Sequence, residues 1–260
     1  MTLAHTAAHI EEIARLAESG GGRADADTVL SERSNDVARL ATGAVCDAVD
    51  QVMQGEHSTA FCLLRPPGHH ALADRVMGFG LFNHVAVAAR YAQQAFQLER
   101  VLIADFDVHH GNGTQAIFWE DPSVTFLSMH RAPFYPFTGA ADETGAGRGL
   151  GTTLNLPVAF GTAAAEQVQL FADRLERFAN RFEPDLVLIS AGFDSHRLDP
   201  IGNLQLDAED FAALTEAIVQ VARQHTGGRL VSVLEGGYNP HALAECVQRH
   251  LQVLSKPVAS

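Results

Sequence analysis

Six short runs of apolar or β-branched residues recur along this chain, and most are apolar at nearly every position rather than at alternate ones. They are TAFCLL (59–64), RVLIADF (100–106), VTFLSMH (124–130), TTLNLPV (152–158), LVLISAG (186–192) and RLVSVLE (229–235). A strand with one wet face alternates between apolar and polar, so a run without alternation reads as a strand covered on both faces. Helical patterns lie between the runs. The clearest opens at Ser34 as an N-cap and repeats Val37, Leu40, Ala41, Ala44, Val45, Ala48, Val49 and Val52. Others cover 83–97, 162–181, 207–225 and 240–254, with a further amphipathic helix over 4–18. Strands separated by helices need parallel crossovers. That predicts an α/β fold, a single three-layer domain over 1–260 with a mostly parallel sheet.

Three segments fit neither pattern: 65–82, 131–151 and 193–206, all rich in Gly, Pro, His and Asp, and each following a strand. In open α/β sheets the ligand site lies at the carboxyl ends of the strands, so these segments are candidate active-site walls. Gly20-Gly21-Gly22 reads as a flexible turn between helices, since no strand precedes it. Composition narrows the function. Lys plus Arg number 18 against 31 for Asp plus Glu, a net charge of −13, which argues against a nucleic-acid partner and suits cationic substrates. Cys46, Cys62 and Cys246 are odd in number and form no C-x-x-C, so a reducing cytoplasm is expected. No apolar run approaches the ~18 residues of a membrane span, and the acid-bearing N-terminus is not a secretory signal.

The chemistry concentrates in four motifs. In Asp105-Phe106-Asp107-Val108-His109-His110-Gly111-Asn112-Gly113, alternate residues of a strand end share a side, so Asp105, Asp107 and His109 are expected to point together as part of a metal site. A third ligand is sought in Ser190-Ala191-Gly192-Phe193-Asp194-Ser195-His196, where Asp194 competes with His196 and Asp199. Two carboxylates and one imidazole would leave zinc an open position for water and substrate. In Arg65-Pro66-Pro67-Gly68-His69-His70-Ala71 the prolines stiffen the approach to a histidine pair. Asp105 and Asn112 are available to set those rings, and unlike partners would give the two histidines different pKa values. In Glu235-Gly236-Gly237-Tyr238-Asn239 the glycines permit close approach to a ligand, and the Tyr238 hydroxyl could polarise a carbonyl opposite the metal.

R-P-P-G-H-H-A, G-F-G-L-F-N, D-F-D-V-H-H-G-N-G-T-Q, S-A-G-F-D-x-H and E-G-G-Y-N stand in order over residues 1 to about 250, and with them the sequence resembles the histone deacetylase superfamily. The likeness is to its bacterial deacetylase-like and acetylpolyamine amidohydrolases. The resemblance implies an arginase/deacetylase-like fold and zinc-dependent removal of acyl groups from acyl-lysine or acylpolyamine substrates. It implies Asp107, His109 and Asp194 as zinc ligands, and His70 as general base. His69, paired with Asp105, would be an electrostatic helper. Asn112 stands where some members have Asp behind the second histidine, and Tyr238 would stabilise the tetrahedral intermediate. Gly78, Phe79 and Tyr135, with Gly237, match substrate-binding positions. Structural potassium is implied at Asp105, Asp107, His109, Ser128 and Met129, and at a second site of Phe118, Asp121 and Val124.

Three positions depart from the family's pattern. Phe137 occupies the Gly of the usual Y-P-G-T-G, His84 follows Asn83 where many members have a second Asn, and the stretch that normally precedes the first helix is not in this sequence. The last departure leads to two expectations, a pocket floor open to solvent or a homo-oligomer formed through an Ile10-Ile13-Leu16 stripe. Two rival functions are a binuclear manganese ureohydrolase, which needs more bridging carboxylates than this chain shows, and a non-catalytic acyl-amine sensor.

Overall fold

The computed structural model describes residues 1–256, so the last four residues of the expected 1–260 unit lie outside the described residues. In chain order the elements are α1 (Ala7–Glu18), β1 (Gly21–Arg23), β2 (Val29–Ser31), α2 (Ser34–Met53), β3 (Thr59–Cys62), α3 (His84–Phe96), β4 (Val101–Asp105) and α4 (Asn112–Phe118). There follow β5 (Val124–Arg131), β6 (Thr153–Val158), α5 (Ala164–Phe182), β7 (Leu186–Ala191), α6 (Ala208–Thr226), β8 (Leu230–Leu234) and α7 (Pro240–Leu254). All six apolar runs are strands. They form one sheet in the order β3-β8-β7-β4-β5-β6, parallel at every pairing.

Side-chain burial explains the missing alternation. In β4, Leu102 and Ala104 pack with Phe171, Leu175, Phe211 and Ile218 of α5 and α6, while Val101 and Ile103 pack with Val45, Val49, Val85 and Ala89 of α2 and α3. Both faces of the strand are core, hence three layers. At ~25 cal/mol per Å² of apolar surface, such doubly covered strands supply much of the folding free energy.

The structure corrects the reading of the N-terminal third. Ser34 is the first residue of α2, not its cap; Arg33 holds the cap position and the Ser34 hydroxyl accepts from the Ser31 amide at 2.8 Å. Of the stripe read on α2, Ala41, Val45, Ala48, Val49 and Val52 are buried, but Val37, Leu40 and Ala44 face outward, Leu40 at 76% exposure. Gly20-Gly21-Gly22 does not link two helices flexibly. Gly21 and Gly22 belong to β1, which pairs antiparallel with β2 as a hairpin. Gly21 lies so close to Leu30 that a side chain there would collide with the Leu30 carbonyl. The Ile10-Ile13-Leu16 stripe packs on its own chain, against Leu30, Val76, Leu81 and Phe82. That contact removes the observation on which the homo-oligomer rested.

Two buried histidines tie this N-terminal layer to segment 65–82. His5 Nδ1 donates to the Leu72 carbonyl at 2.9 Å while its Nε2 accepts from the Asn83 amide at 2.8 Å. His84 Nε2 donates to the Pro66 carbonyl at 3.0 Å and its Nδ1 meets the Thr42 hydroxyl at 2.9 Å. His84, the departure in the motif, therefore braces the backbone just before the histidine pair.

Candidate active site

The sheet order brings the motifs together. The histidine pair follows β3, Glu235 to Tyr238 follow β8, Asp194 follows β7, and Asp107 and His109 follow β4; these are four adjacent strands. Beyond the end of β4, Asp107 and His109 converge on Asp194, all three buried, with one ligand atom from each lying within 4.8 Å of the others. His109 Nδ1 stands 3.0 Å from Asp107 Oδ1 and 3.1 Å from Asp194 Oδ2.

Of the three candidates for the third ligand, the fold selects Asp194. His196 Nδ1 turns back to accept from the Leu198 amide at 3.1 Å. Asp199 organises its own loop, accepting from Ile201 and Gly202, and its Oδ2 accepts from the Tyr238 amide at 2.7 Å. Asp105 also leaves the cluster. It does not point with Asp107 and His109, because its Oδ2 meets His69 Nδ1 at 2.9 Å and its Oδ1 accepts from the Asp107 amide at 3.1 Å.

The donor set fits a divalent cation. Asp194 Oδ1 accepts from the Val108 amide at 2.9 Å, while the buried Asp194 Oδ2 has only the His109 ring within reach, at 3.1 Å. Burial and the neighbouring Asp107 push the Asp194 carboxyl up to about 6. Two buried carboxylates this close repel unless positive charge lies between them. Carboxylate oxygen and imidazole nitrogen are ordinary zinc ligands, and three of them leave a coordination position open.

The rings of His69 and His70 lie 4.1 Å apart and are set oppositely. His70 Nδ1 donates to Asn112 Oδ1 at 2.7 Å, which leaves Nε2 as the acceptor. Burial, with the charges of His69 and His109, pushes His70 below the usual histidine range. His69 goes the other way: burial opposes its charge, but Asp105 and Asp107 outweigh it and hold the ring protonated. The two rings are driven in opposite directions, His70 toward its neutral form and His69 toward its charged one.

Aromatic rings crowd the histidines. The Tyr135 ring lies 5.3 Å from His70 and 5.9 Å from His109, and Phe134 stacks on His109 at 5.3 Å. Phe79, 42% exposed, meets the Tyr238 ring edge-on at 6.2 Å. Gly78 has φ +55°, and a methyl group there would collide with the His70 ring. Gly237 turns the chain into Tyr238 and abuts Leu243. Ser128 is the register partner of Asp105 across β4 and β5, and its hydroxyl bonds His130 Nδ1 at 2.9 Å; Met129 is buried beside it. At the second expected ion position, Phe118 and Val124 are buried, while the Asp121 carboxylate already pairs with Arg90 and accepts from Ser123.

Four residues of the site carried no readable signal of their role. Glu235 is buried, and its Oε2 accepts from the amides of Gly68 at 2.6 Å and His69 at 3.1 Å while Oε1 accepts from Ser190 Oγ at 3.1 Å. It fastens the histidine loop to β7 and β8. Asp199 holds the backbone of Tyr238. On the β1–β2 hairpin, Thr28 Oγ1 accepts from the Phe79 amide at 3.2 Å, and burial, with the charge of Asp27 nearby, pushes the Tyr135 phenol above its ordinary range. Only the fold puts these partners side by side.

Gly236 offers a direct check of the metal centre. Its amide donates to Asp107 Oδ2 at 2.9 Å, and a Cβ would collide with the carboxylates of both Asp107 and Asp194. Gly236→Ala is expected to weaken metal affinity on the order of 10–100-fold. Competition against a chromogenic chelator measures it, and wild-type affinity in the variant would disprove this packing.

A parallel sheet with an Asp–His–Asp cluster and a histidine pair at its carboxyl edge is the arginase–deacetylase architecture. The histone deacetylase domain matches residues 1–254, and the chain belongs to the histone deacetylase family. It is 44% identical over 220 residues to chloroplastic histone deacetylase 14 of Arabidopsis thaliana, covering 83% of this chain and 52% of that one. It is 38% identical over 252 residues to the histone deacetylase-like amidohydrolase of Pseudomonas aeruginosa, covering 96% of this chain and 66% of that one. The crystal structure of the HDA15 HD domain superposes with a TM-score of 0.91 at 38% identity, over 97% of this chain and 71% of that one. The chain spans about half the length of the plant relatives it matches. Among the described residues no helix is long and apolar enough to cross a membrane.

Proposed function

We propose that the protein is a zinc-dependent deacylase that hydrolyses the amide of an N-acylated primary amine, such as acetyl-lysine or an acetylpolyamine. The observation that carries this reading is the buried Asp107–His109–Asp194 cluster lying beside two histidines with unlike partners, Asp105 for His69 and Asn112 for His70. Asp107, His109 and Asp194 would hold the zinc, which would supply Lewis acidity and lower the pKa of water toward ~7. The rest falls to the chain's own groups. His70 Nε2 takes a proton from the attacking water, Asn112 having fixed the tautomer. His69, kept charged by Asp105, stabilises negative charge near the carbonyl. Burial, with Asp194 and Asp107 nearby, pushes the Tyr238 phenol above its ordinary range, so it stays an O–H donor for the oxyanion. As the C–N bond breaks, a histidine proton passes to the amine.

The acidic chain suits amine substrates, whose ammonium groups are cationic. A potassium ion is proposed among the oxygens of Asp105, Asp107, His109, Ser128 and Met129, where it would offset the charge of adjacent carboxylates. A second is proposed at Phe118, Asp121 and Val124, where it would use main-chain carbonyls, since the Asp121 carboxylate is engaged. A binuclear ureohydrolase fits less well, because only one group of three ligands appears among the described residues.

The test combines metal analysis with a substrate panel. One zinc per chain and turnover of acyl-lysine peptides or acylpolyamines by the zinc-loaded protein are expected. Two manganese ions per chain, or no hydrolysis of any panel member, would sink the proposal.

A further inference from the structure

The strongest remaining anomaly is Phe137. Its side chain is 80% exposed, and its backbone sits at φ +64°, in the left-handed region that a bulky residue adopts only at a cost. Neither property aids folding. A glycine would take this backbone without strain and would leave no aromatic ring in water.

The backbone around it is fixed on both sides. Two residues upstream, Tyr135 lies against His70 and His109. The Phe137 amide donates to the Phe134 carbonyl at 2.7 Å, closing a tight turn. Immediately downstream, Thr138 Oγ1 meets the buried His110 Nδ1 at 2.7 Å, and the Gly139 carbonyl meets the buried His130 Nε2 at 3.0 Å. Glu143 then accepts from the amides of Gly139 and Ala140. Phe137 is thus a free-standing aromatic ring on an immobilised turn beside the reaction centre. An aromatic ring adds a large contact area while only two side-chain torsions are fixed on binding, and a backbone already fixed lowers that cost further.

We propose that Phe137 is a specificity-determining residue that packs against an apolar side chain flanking the acylated lysine of a peptide substrate. The inference rests on the deacylase reading above and narrows it to peptides. A cationic flank is the competing chemistry, but the site does not favour it. Phe is a weaker cation-binding face than Trp, and its exposed ring carries no polar atom to pair with a charge.

The test uses acetyl-lysine tetrapeptides that differ only in whether the flanking residue is Leu, Gly or Arg, with the zinc-loaded wild type, Phe137→Gly and Phe137→Met. Binding of fluorescein-labelled peptides is followed by anisotropy alongside kcat and KM. The wild type is expected to prefer Leu over Gly about tenfold in kcat/KM, with the difference in KM. In Phe137→Gly the preference falls to about twofold, while the melting temperature is unchanged or higher because strain is relieved. Phe137→Met restores the preference. A Leu preference that survives in Phe137→Gly, or a wild-type preference for Arg that disappears there, overturns the proposal. If no peptide is hydrolysed, the deacylase reading fails, and anisotropy still decides whether Phe137 recognises the apolar flank.

Discussion

Tyr238→Phe is expected to lower turnover of an acetyl-lysine substrate on the order of 10²–10³-fold, the usual effect of removing one preorganised oxyanion donor. The ring itself should stay in place. Its backbone is held by Asp199 and its edge by Phe79, neither of which involves the hydroxyl. Metal content and melting temperature should therefore match the wild type, and the loss should appear in kcat more than in KM. Steady-state kinetics with zinc quantification checks both halves. Turnover within a factor of three of wild type would show that Tyr238 does not meet the developing charge.

Acid should unfold this protein at a mild pH. Five histidines are buried as neutral groups, with burial the main cause of their depressed pKa values: His5, His84 and His130 to about 4, and His110 and His250 to about 3. An unfolded chain protonates each near 6.5. The folded pKa lies below the unfolded one, so their stabilisation is complete above pH ~6.5 and is lost as pH falls toward 4. At pH 5 each withholds a proton at a cost of about 2 kcal/mol, together on the order of 10 kcal/mol, comparable with the whole stability of a domain. His69 and His109 are raised and carry the opposite sign, so the cleanest control lies away from them. His250 is such a group, held between the hydroxyls of Thr215 at 2.7 Å and Ser232 at 2.9 Å. Urea unfolding between pH 7.5 and 5 should show stability falling steeply below 6.5. His250→Asn should lessen that slope by about 1.4 kcal/mol per pH unit. A flat profile in the wild type would refute the assignment.

What the sequence made legible follows a physical rule. Signals carried by neighbours in the chain could be read: the unalternating strands, the two-residue spacing of Asp107 and His109, the fused pair His69-His70. Signals that depend on distant partners could not. Asp194, His196 and Asp199 are equivalent on the page until β7 is placed beside β4. Asp105 shares the spacing of Asp107, yet its geometry is decided by His69, far away in sequence. Glu235 and Asp27 are unremarkable acids until their loops close. On α2 the error has another source. Val37 and Leu40 satisfy a helical stripe, but the helix turns Ala38 and Ala41 of the same turns inward and leaves those two side chains in solvent.

The sheet order carries a further consequence, one of timing. β8 is made last, yet it inserts between β3 and β7. A growing chain that has completed β3 through β7 therefore keeps a gap in its sheet, with two unpaired edges facing it. Unpaired edges are where chains join one another wrongly. The gap also falls in the middle of the active centre, separating the histidine pair from Asp194, and the strand that fills it delivers Glu235 and Tyr238. Synthesis stopped before residue 230 cannot give a weakened enzyme. It gives a chain with no closed sheet and no assembled centre, and limited proteolysis of ribosome-stalled lengths should show protection arriving in one step as β8 and α7 emerge.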